Sequence, residues 1–201
     1  HPSIYHMNEG HSAMLVLDLI RHEMIERKIS FVDAKRLMSR HVIFTNHTLV
    51  PAGEELYSND LASALLSTYA EELAVPNTDI VALGLVQESS IFSMTMLSLR
   101  LAERINAVSK LHQIKAKEMW TDHPMEVVTN GIHIPTWDRI GSTNLVWEKH
   151  QENKKRLLSE IKKETGIVFG ENELLLGWAR RVVTYKRPLA LFEDLQRFKS
   201  I

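Results

Sequence analysis

Cysteine is absent from the 201 residues of this sequence, and its absence excludes several kinds of chemistry. The chain can form no disulfide bond, can carry no CxxC redox pair and can offer no thiolate to a zinc ion. This composition fits a reducing compartment. We therefore expect a cytoplasmic location.

The sequence also lacks an excess of charge and a long apolar run. Lysine and arginine number 24, aspartate and glutamate 25, and the formal net charge is −1. Such a chain has no general electrostatic attraction for nucleic acid or for an anionic membrane, so we expect neither as a partner. The longest apolar runs, such as residues 13–17 and 174–176, are far shorter than the roughly 20 residues that cross a bilayer.

The first residues carry no signal for secretion. The chain starts on His1-Pro2 without an initiator methionine, and no charged segment precedes its first apolar stretch, as a signal peptide would require. We expect the chain to be a processed product or a fragment.

Hydrophobic periodicity divides the chain into alternating helices and short strands. Ser12, Ser30 and Asp60 are predicted helix caps, and residues 174–179 are almost purely apolar, which is typical of a strand buried on both faces. The alternation predicts α/β packing around a parallel sheet, whose ligands bind at the carboxyl ends of the strands. The predicted helices are residues 12–28, 30–40, 60–73, 93–104, 110–120, 145–166 and 188–201. The predicted strands are residues 42–44, 105–109, 126–129 and 174–179. The loops expected to bind ligands are residues 45–51, 129–137 and 180–188.

The last of these loops is strongly basic. Arg180, Arg181, Lys186 and Arg187 lie within eight residues, and Pro188 follows them. Proline is favourable in the first turn of a helix, so a helix N-terminus is expected to point into the loop. Guanidinium groups, an ammonium group and free backbone N–H groups together favour a phosphate site. A solvated basic loop is the alternative.

The other two loops carry weaker signals. The Asn130 amide could bind a ligand, with Gly131 allowing close approach of the backbone, although an ordinary Asn-Gly turn explains the same pair. His47 stands alone in its loop, where a histidine is more often structural.

The opening residues resemble a metal-binding box, because His1, His6, Glu9 and His11 lie close together. A helical zinc motif of the HExxH type places its two histidines four residues apart on one face. Here the spacing is five and Gly10 interrupts it, so we expect no metal site but a polar loop that leads into a helix. No GxSxG elbow or Ser-His-Asp order indicates a hydrolase.

Six blocks of this sequence, taken together, resemble the α-glucan phosphorylases. The blocks occur in the order of that family and cover essentially the whole chain. Val183-Thr184 stands where the long phosphorylases carry His-Glu, which makes the chain more similar to the shorter bacterial and archaeal branch. The blocks are residues 5–13 (YHMNEGHSA), 44–53 (FTNHTLVPAG), 94–97 (MTML), 105–112 (INAVSKLH), 129–133 (TNGIH) and 179–187 (ARRVVTYKR).

The resemblance implies a glycosyltransferase of the GT-B type, with two Rossmann-like domains that face a cleft. Residues 1–130 would be the C-terminal part of the first domain, and residues 131–201 the beginning of the second. The implied reaction is phosphorolysis of terminal α-1,4-linked glucose from glycogen, starch or maltodextrin to glucose 1-phosphate. The implied partners are α-1,4-glucan, inorganic phosphate and pyridoxal phosphate, in a cytoplasmic, allosteric enzyme that could be a homo-oligomer.

The resemblance also assigns roles to individual residues. Arg181 and Lys186 match the arginine and lysine that bind phosphate, Asn130 matches the asparagine that hydrogen-bonds the glucosyl ring, and His47 matches the histidine whose backbone carbonyl faces the developing positive charge. The loop with Glu9, Gly10 and His11 would line the sugar cleft.

Two family features have no counterpart in this sequence. The glycine-rich phosphate loop is expected upstream of His1, and the lysine that holds pyridoxal phosphate is expected downstream of Ile201. The chain is therefore expected to be the middle of an enzyme and inactive alone. Two other readings stay open, namely a non-catalytic module that binds glucan or phosphate, and a nucleotide-sugar glycosyltransferase on the same fold.

Overall fold

A computed structural model describes residues 2–87 and 89–200, without the side chain of Ala52. His1, the first histidine of the opening box, and Ile201, the last residue of the final predicted helix, lie outside the described residues. The chain divides into two compact units, His1–Asn130 and Gly131–Ile201.

The first unit is built on a parallel sheet. Strands β1, β2, β5 and β6 pair in that order, all in parallel, and β3 and β4 form a separate antiparallel pair. The predicted α/β class is confirmed. The strands are β1 (Tyr5–Asn8), β2 (Val42–Asn46), β3 (Leu56–Ser58), β4 (Ile91–Ser93), β5 (Arg104–Ala107) and β6 (Glu126–Val127).

Six helices of the first unit flank these strands. Four of them begin after a serine whose side chain accepts from a backbone N–H of the first turn, as where Ser30 accepts from the N–H of Asp33. The helices are α1 (Met14–Arg27), α2 (Phe31–Ser39), α3 (Asn59–Glu72), α4 (Asn77–Ala82), α5 (Met94–Leu101) and α6 (Lys110–Met119).

Two predicted caps are wrong. Ser12 lies in a short 3₁₀ turn, Gly10–Ser12, and its hydroxyl donates to the Glu9 carbonyl oxygen, so it cannot cap α1. Helix α3 is capped by Ser58, which accepts from the backbone N–H of Leu61, and Asp60 lies inside its first turn. In both cases the chain reaches helical geometry at a different residue from the one that the local pattern indicated.

The core of the first unit covers one face of the main sheet. Met7, Phe44 and Ile105 are register neighbours across β1, β2 and β5, and each is at most 6% exposed. They join buried side chains of α1 and α5 in one hydrophobic cluster. Because side chains alternate along a strand, His6 and Thr45 face the other side. The apolar face therefore specifies the pairing register of the strands, and the more polar side chains lie on the opposite face of the sheet.

The second unit contains α7 (Ile134–Trp137), α8 (Val146–Thr165) and α9 (Leu195–Lys199). Helix α8 confirms the helix predicted for residues 145–166 and ends at Gly166, whose φ of 74° is the left-handed conformation of a C-cap. None of the described residues 131–200 is buried. A cavity of about 560 Å³ beside α8 is lined by none of the predicted site residues.

Two predictions for the second unit are wrong. Residues 174–179 form no strand, and Leu174, Leu176 and Trp178 are 66%, 54% and 47% exposed. An apolar run becomes a strand only where neighbouring strands supply hydrogen bonds, and no described residue of this unit is in a strand. No continuous helix follows Pro188, because Asp194 accepts from the backbone N–H of Arg197 and starts the short α9 instead.

No helix of the described ranges is both long and apolar enough to cross a membrane.

Candidate active site

Three predicted site residues meet at the carboxyl edge of the parallel sheet. Glu9 follows β1, His47 follows β2, and Asn130 lies three residues beyond β6. The backbone N–H of Asn130 donates to the Val108 carbonyl oxygen at 3.1 Å, which holds the loop after β6 against the end of β5. Parallel strands bring their carboxyl ends to one edge, so residues far apart in sequence become neighbours there.

A row of hydrogen bonds links this edge from one loop to the next. His47 Nε2 lies 2.6 Å from Asn8 Oδ1, and His47 Nδ1 lies 3.5 Å from Asn130 Nδ2. The structure therefore brings His47 and Asn130 together, and it adds Asn8, at the end of β1, as a third member.

Glu9 connects the loops that follow β1 and β2. One oxygen of its carboxylate accepts from the His47 backbone N–H at 3.0 Å, and the other accepts from Asn46 Nδ2 at 3.2 Å. Its backbone has φ 65° and ψ 172°, a region that is almost restricted to glycine and costs about 1–3 kcal/mol for other residues. Such strain at a hydrogen-bonded site residue is typical of functional loops.

Gly10 and His11 have different surroundings from Glu9. A Cβ atom on Gly10 would lie 2.9 Å from the Thr95 backbone nitrogen and 3.0 Å from the Met94 carbonyl carbon, so Gly10 permits close packing against the start of α5. His11 is exposed and lines a separate cavity of about 300 Å³ beside Tyr57. The structure does not bring His11 to His47 and Asn130.

The site adjoins an open cavity of about 460 Å³ on the polar face of the sheet. His6 Nε2 lies 2.6 Å from Thr45 Oγ1, which donates to Asn106 Oδ1 at 2.7 Å. The charged groups of this lining, Arg104 and Glu126, pair with each other at 3.8 Å. Hydroxyl, amide and imidazole groups with little net charge suit a polyhydroxylated ligand.

His6 and Glu9, two members of the opening box, have different hydrogen-bond partners. Among residues 2–87 and 89–200, no group of three histidine or carboxylate side chains is placed to hold a metal ion. His6 lies in β1 and contacts Thr45 across the sheet, whereas Glu9 lies in the loop after β1 and accepts from the His47 backbone N–H.

The basic loop of the second unit gathers two of its cations around one tyrosine. Arg181 Nη2 donates to the Tyr185 hydroxyl at 3.2 Å, and Lys186 Nζ lies 4.8 Å from the centre of the Tyr185 ring. Arg187 instead pairs with Glu193 at 3.0 Å. The helix N-terminus expected in this loop is a short 3₁₀ turn, Ala190–Phe192, so a phosphate group would be bound by side chains.

His112 is a site neighbour that the sequence analysis did not select. It lies in the first turn of α6, where its backbone N–H donates to Ser109 Oγ at 3.1 Å. Both of its ring nitrogens are buried, and neither makes a hydrogen bond of ordinary geometry with the described residues. Burial lowers the pKa of His112; the Glu9 carboxylate and the His47 backbone oppose the shift, and the His47 imidazole adds to it.

This pKa shift predicts that stability falls as the solution becomes acidic. A pKa that is lower in the folded than in the unfolded state means that protonation opposes folding. The contribution of neutral His112 to the free energy of unfolding should be complete above pH 6.5, the ordinary pKa of histidine. This contribution should be lost as the pH falls from 6.5 toward the lower pKa of His112 in the folded state. Burial also lowers the pKa of His123, which therefore acts in the same direction.

The measurement is the thermal unfolding midpoint of the full-length protein at about pH 7.5 and about pH 5.5. His112→Phe, which does not titrate, should reduce the loss of stability between the two pH values, and adding His123→Phe should reduce it further. An unchanged loss in both variants would contradict the assignment.

Asn8 and His112 both occur in the sequence blocks quoted above, yet neither was chosen as a site residue. Asn8 ends β1, a strand that the sequence analysis did not predict, and His112 lies three residues after Ser109, the serine that caps α6. Only the pairing of the strands shows that both positions lie beside His47.

This part of the chain is an α/β unit with a four-stranded parallel sheet and hydrogen-bonding side chains at its carboxyl edge. No protein-family model matches the chain. Curated relatives do: the maltodextrin phosphorylase of Thermococcus litoralis is 32% identical over 251 residues and covers 100% of this chain. A glycogen phosphorylase of Mycobacterium tuberculosis is 28% identical over 258 residues, also with 100% of the chain covered.

A plant relative, the cytosolic alpha-glucan phosphorylase 2 of Arabidopsis thaliana, is 23% identical over 97% of the chain. The resemblance to α-glucan phosphorylases is thereby confirmed over the whole chain, and identity is higher to the archaeal and bacterial relatives than to the plant one. The chain spans about 30% of the length of these relatives.

Proposed function

We propose that the full-length protein containing this chain releases glucose 1-phosphate from α-1,4-glucan by phosphorolysis. The names of the relatives support this proposal, since they are maltodextrin and glycogen phosphorylases. The structural observation that carries it is the contact between His47 and Asn130, the two residues to which the resemblance gives sugar-binding and electrostatic roles. The substrates would be glycogen, starch or maltodextrin, with inorganic phosphate.

In this proposal the sugar occupies the carboxyl edge of the first unit. The Asn130 amide would hydrogen-bond the glucosyl ring, and the His47 backbone carbonyl would face the positive charge that develops as the glycosidic bond breaks. A fixed dipole directed at developing charge stabilises a transition state more than a ground state. Glu9 accepts from the His47 backbone N–H and so would restrict the backbone at His47, although the carbonyl group belongs to the following peptide unit. Gly10 would support this loop through its close packing against the start of α5.

Arg181 and Lys186 would bind phosphoryl groups. Within the described ranges neither side chain takes part in an ion pair, so both cations are available to an anion. A guanidinium fork matches phosphate oxygens in two places, and an ammonium group adds a compact charge.

The same two side chains fit the phosphate group of pyridoxal phosphate, which we propose as the cofactor of the full-length protein. When bound, its phosphate group would supply proton transfer beside the substrate phosphate. Arg181 and Lys186 would hold the two anionic groups close together by reducing their repulsion. A cytoplasmic location, allosteric control and assembly as a homo-oligomer stay predictions.

The test uses the purified full-length protein with maltodextrin. Glucose 1-phosphate should appear only when inorganic phosphate is supplied, because phosphate is the attacking group. A requirement for a nucleotide-sugar would contradict the proposal and favour the glycosyltransferase alternative. Sugar release that is independent of phosphate would contradict both.

A further inference from the structure

The hydrogen bonds of His47 define which of its ring nitrogens carries the proton. Asn8 Oδ1 has lone pairs and no hydrogen, so the 2.6 Å contact requires His47 Nε2 to donate. A neutral imidazole then has a lone pair on Nδ1, toward which Asn130 Nδ2 is directed at 3.5 Å. The hydrogen bonds of this row are therefore donated in one direction, from the Asn130 amide to His47 and from His47 to Asn8.

The direction of these hydrogen bonds determines the orientation of the Asn130 amide. Its amide nitrogen is directed at His47, and its amide oxygen has no hydrogen-bond partner among residues 2–87 and 89–200, so that oxygen can accept from a ligand. In the opposite tautomer His47 Nδ1 would carry a hydrogen, and the two N–H groups would repel each other. The orientation of Asn130 thus depends on the acceptor that Asn8 supplies at the other side of the imidazole ring.

We propose that Asn8 is a positioning residue for Asn130, acting through the tautomer of His47. This inference rests on the proposed function, in which Asn130 binds the sugar. Asn8 is exposed and makes no other side-chain hydrogen bond within residues 2–87 and 89–200, so its substitution removes little packing. Its effect should therefore be on ligand binding, not on folding.

The experiment is a double-mutant cycle in the full-length protein, with maltoheptaose as the probe. Asn8→Leu has a similar size and no acceptor. It should raise the Kd for maltoheptaose about tenfold, because one hydrogen-bonded arrangement is lost. Asn8→Asp keeps an acceptor oxygen at the same position and should restore binding to within about threefold of the wild type. Calorimetry measures the Kd of each variant without any need for turnover.

The cycle with Asn130→Ala separates a positioning role from a structural one. If Asn8 acts through Asn130, Asn8→Leu should weaken binding no further once Asn130 is alanine, so the two effects are not additive. Additive effects, or an Asp variant as weak as the Leu variant, would overturn the inference.

Failure of the proposed function has a different signature. A wild-type protein that binds maltoheptaose but releases no glucose 1-phosphate with phosphate would refute phosphorolysis. The double-mutant cycle would still test the positioning role, because it measures binding alone. A wild-type protein that binds no maltoheptaose would overturn the positioning role as well.

Discussion

Lys186→Ala in the full-length protein should raise the phosphate concentration needed for half-maximal glucose 1-phosphate release by roughly 10- to 100-fold, since a charge-assisted hydrogen bond contributes about 1.5–3 kcal/mol. Arg181→Ala should have a comparable effect. The two cations flank Tyr185 and have no carboxylate partner in the described ranges, so each is available to an anion. The measurement is initial rate against phosphate concentration at saturating maltodextrin.

A matched variant tests whether the effect is specific. Lys163 lies on α8 and pairs with Glu160 at 3.5 Å, so Lys163→Ala removes the same charge from the same unit and should leave the phosphate requirement unchanged. Arg181→Lys keeps the charge but loses the planar fork, and it should fall between the wild type and Arg181→Ala. Unchanged phosphate kinetics in Lys186→Ala and Arg181→Ala would remove both residues from the site.

Glu9→Ala should lower kcat/KM for maltodextrin by roughly 10- to 100-fold, because two donors lose a charged acceptor at once. The carboxylate accepts from the His47 backbone N–H and from Asn46 Nδ2, and Asn46 is only 1% exposed. Without the carboxylate the backbone at His47 would be less restricted, and the following peptide group, which contains the His47 carbonyl, would be positioned less firmly. The measurement is phosphorolysis at low maltodextrin concentration.

Two further variants separate the carboxylate from the strain of the backbone. Glu9→Gln keeps one acceptor oxygen and should lose less activity than Glu9→Ala. Glu9→Gly loses the carboxylate but adopts the φ of 65° without strain, so it should be about 1 kcal/mol more stable to unfolding than Glu9→Ala and equally impaired in catalysis. Wild-type activity in Glu9→Gly would contradict the role of the carboxylate.

Local patterns predicted most of the first unit correctly. The helix around residues 30–40 was predicted from its serine cap and apolar spacing, and α2 is Phe31–Ser39 with Ser30 as its cap. The strand at residues 42–44 was predicted from β-branched and aromatic residues, and β2 is Val42–Asn46. These elements depend on interactions between residues close in sequence, together with a buried face that the periodicity reveals.

The errors in the second unit have one distant cause and one local cause. Residues 174–179 have the composition of a buried strand, yet a strand requires hydrogen-bonding neighbours that the described residues of the second unit do not supply. The continuous helix expected from Pro188 is instead a short 3₁₀ turn, Ala190–Phe192, followed by α9, which begins where Asp194 accepts from the Arg197 backbone N–H. Composition alone reports neither of these competing interactions.

Some residues of the candidate site were indicated by the sequence, and others were found only in the structure. The ordered blocks indicated Glu9, His47 and Asn130 before their positions in space were known, because the resemblance assigns roles to these positions of the chain. Asn8 and His112 were overlooked, since an exposed asparagine and a helical histidine have many ordinary explanations. Their relevance follows from the parallel pairing of β1, β2 and β5, which places them beside His47.

Residue order by itself determined the α/β class, five of the six helices of the first unit and the family that the chain resembles, because short-range periodicity and motif order are properties of a linear chain. The tertiary structure alone decided that His47 lies between Asn8 and Asn130, that Glu9 holds the His47 backbone, and that His11 faces another cavity. The physical reason is that hydrogen bonds act over about 3 Å, and only folding brings residues 8, 47 and 130 within that distance.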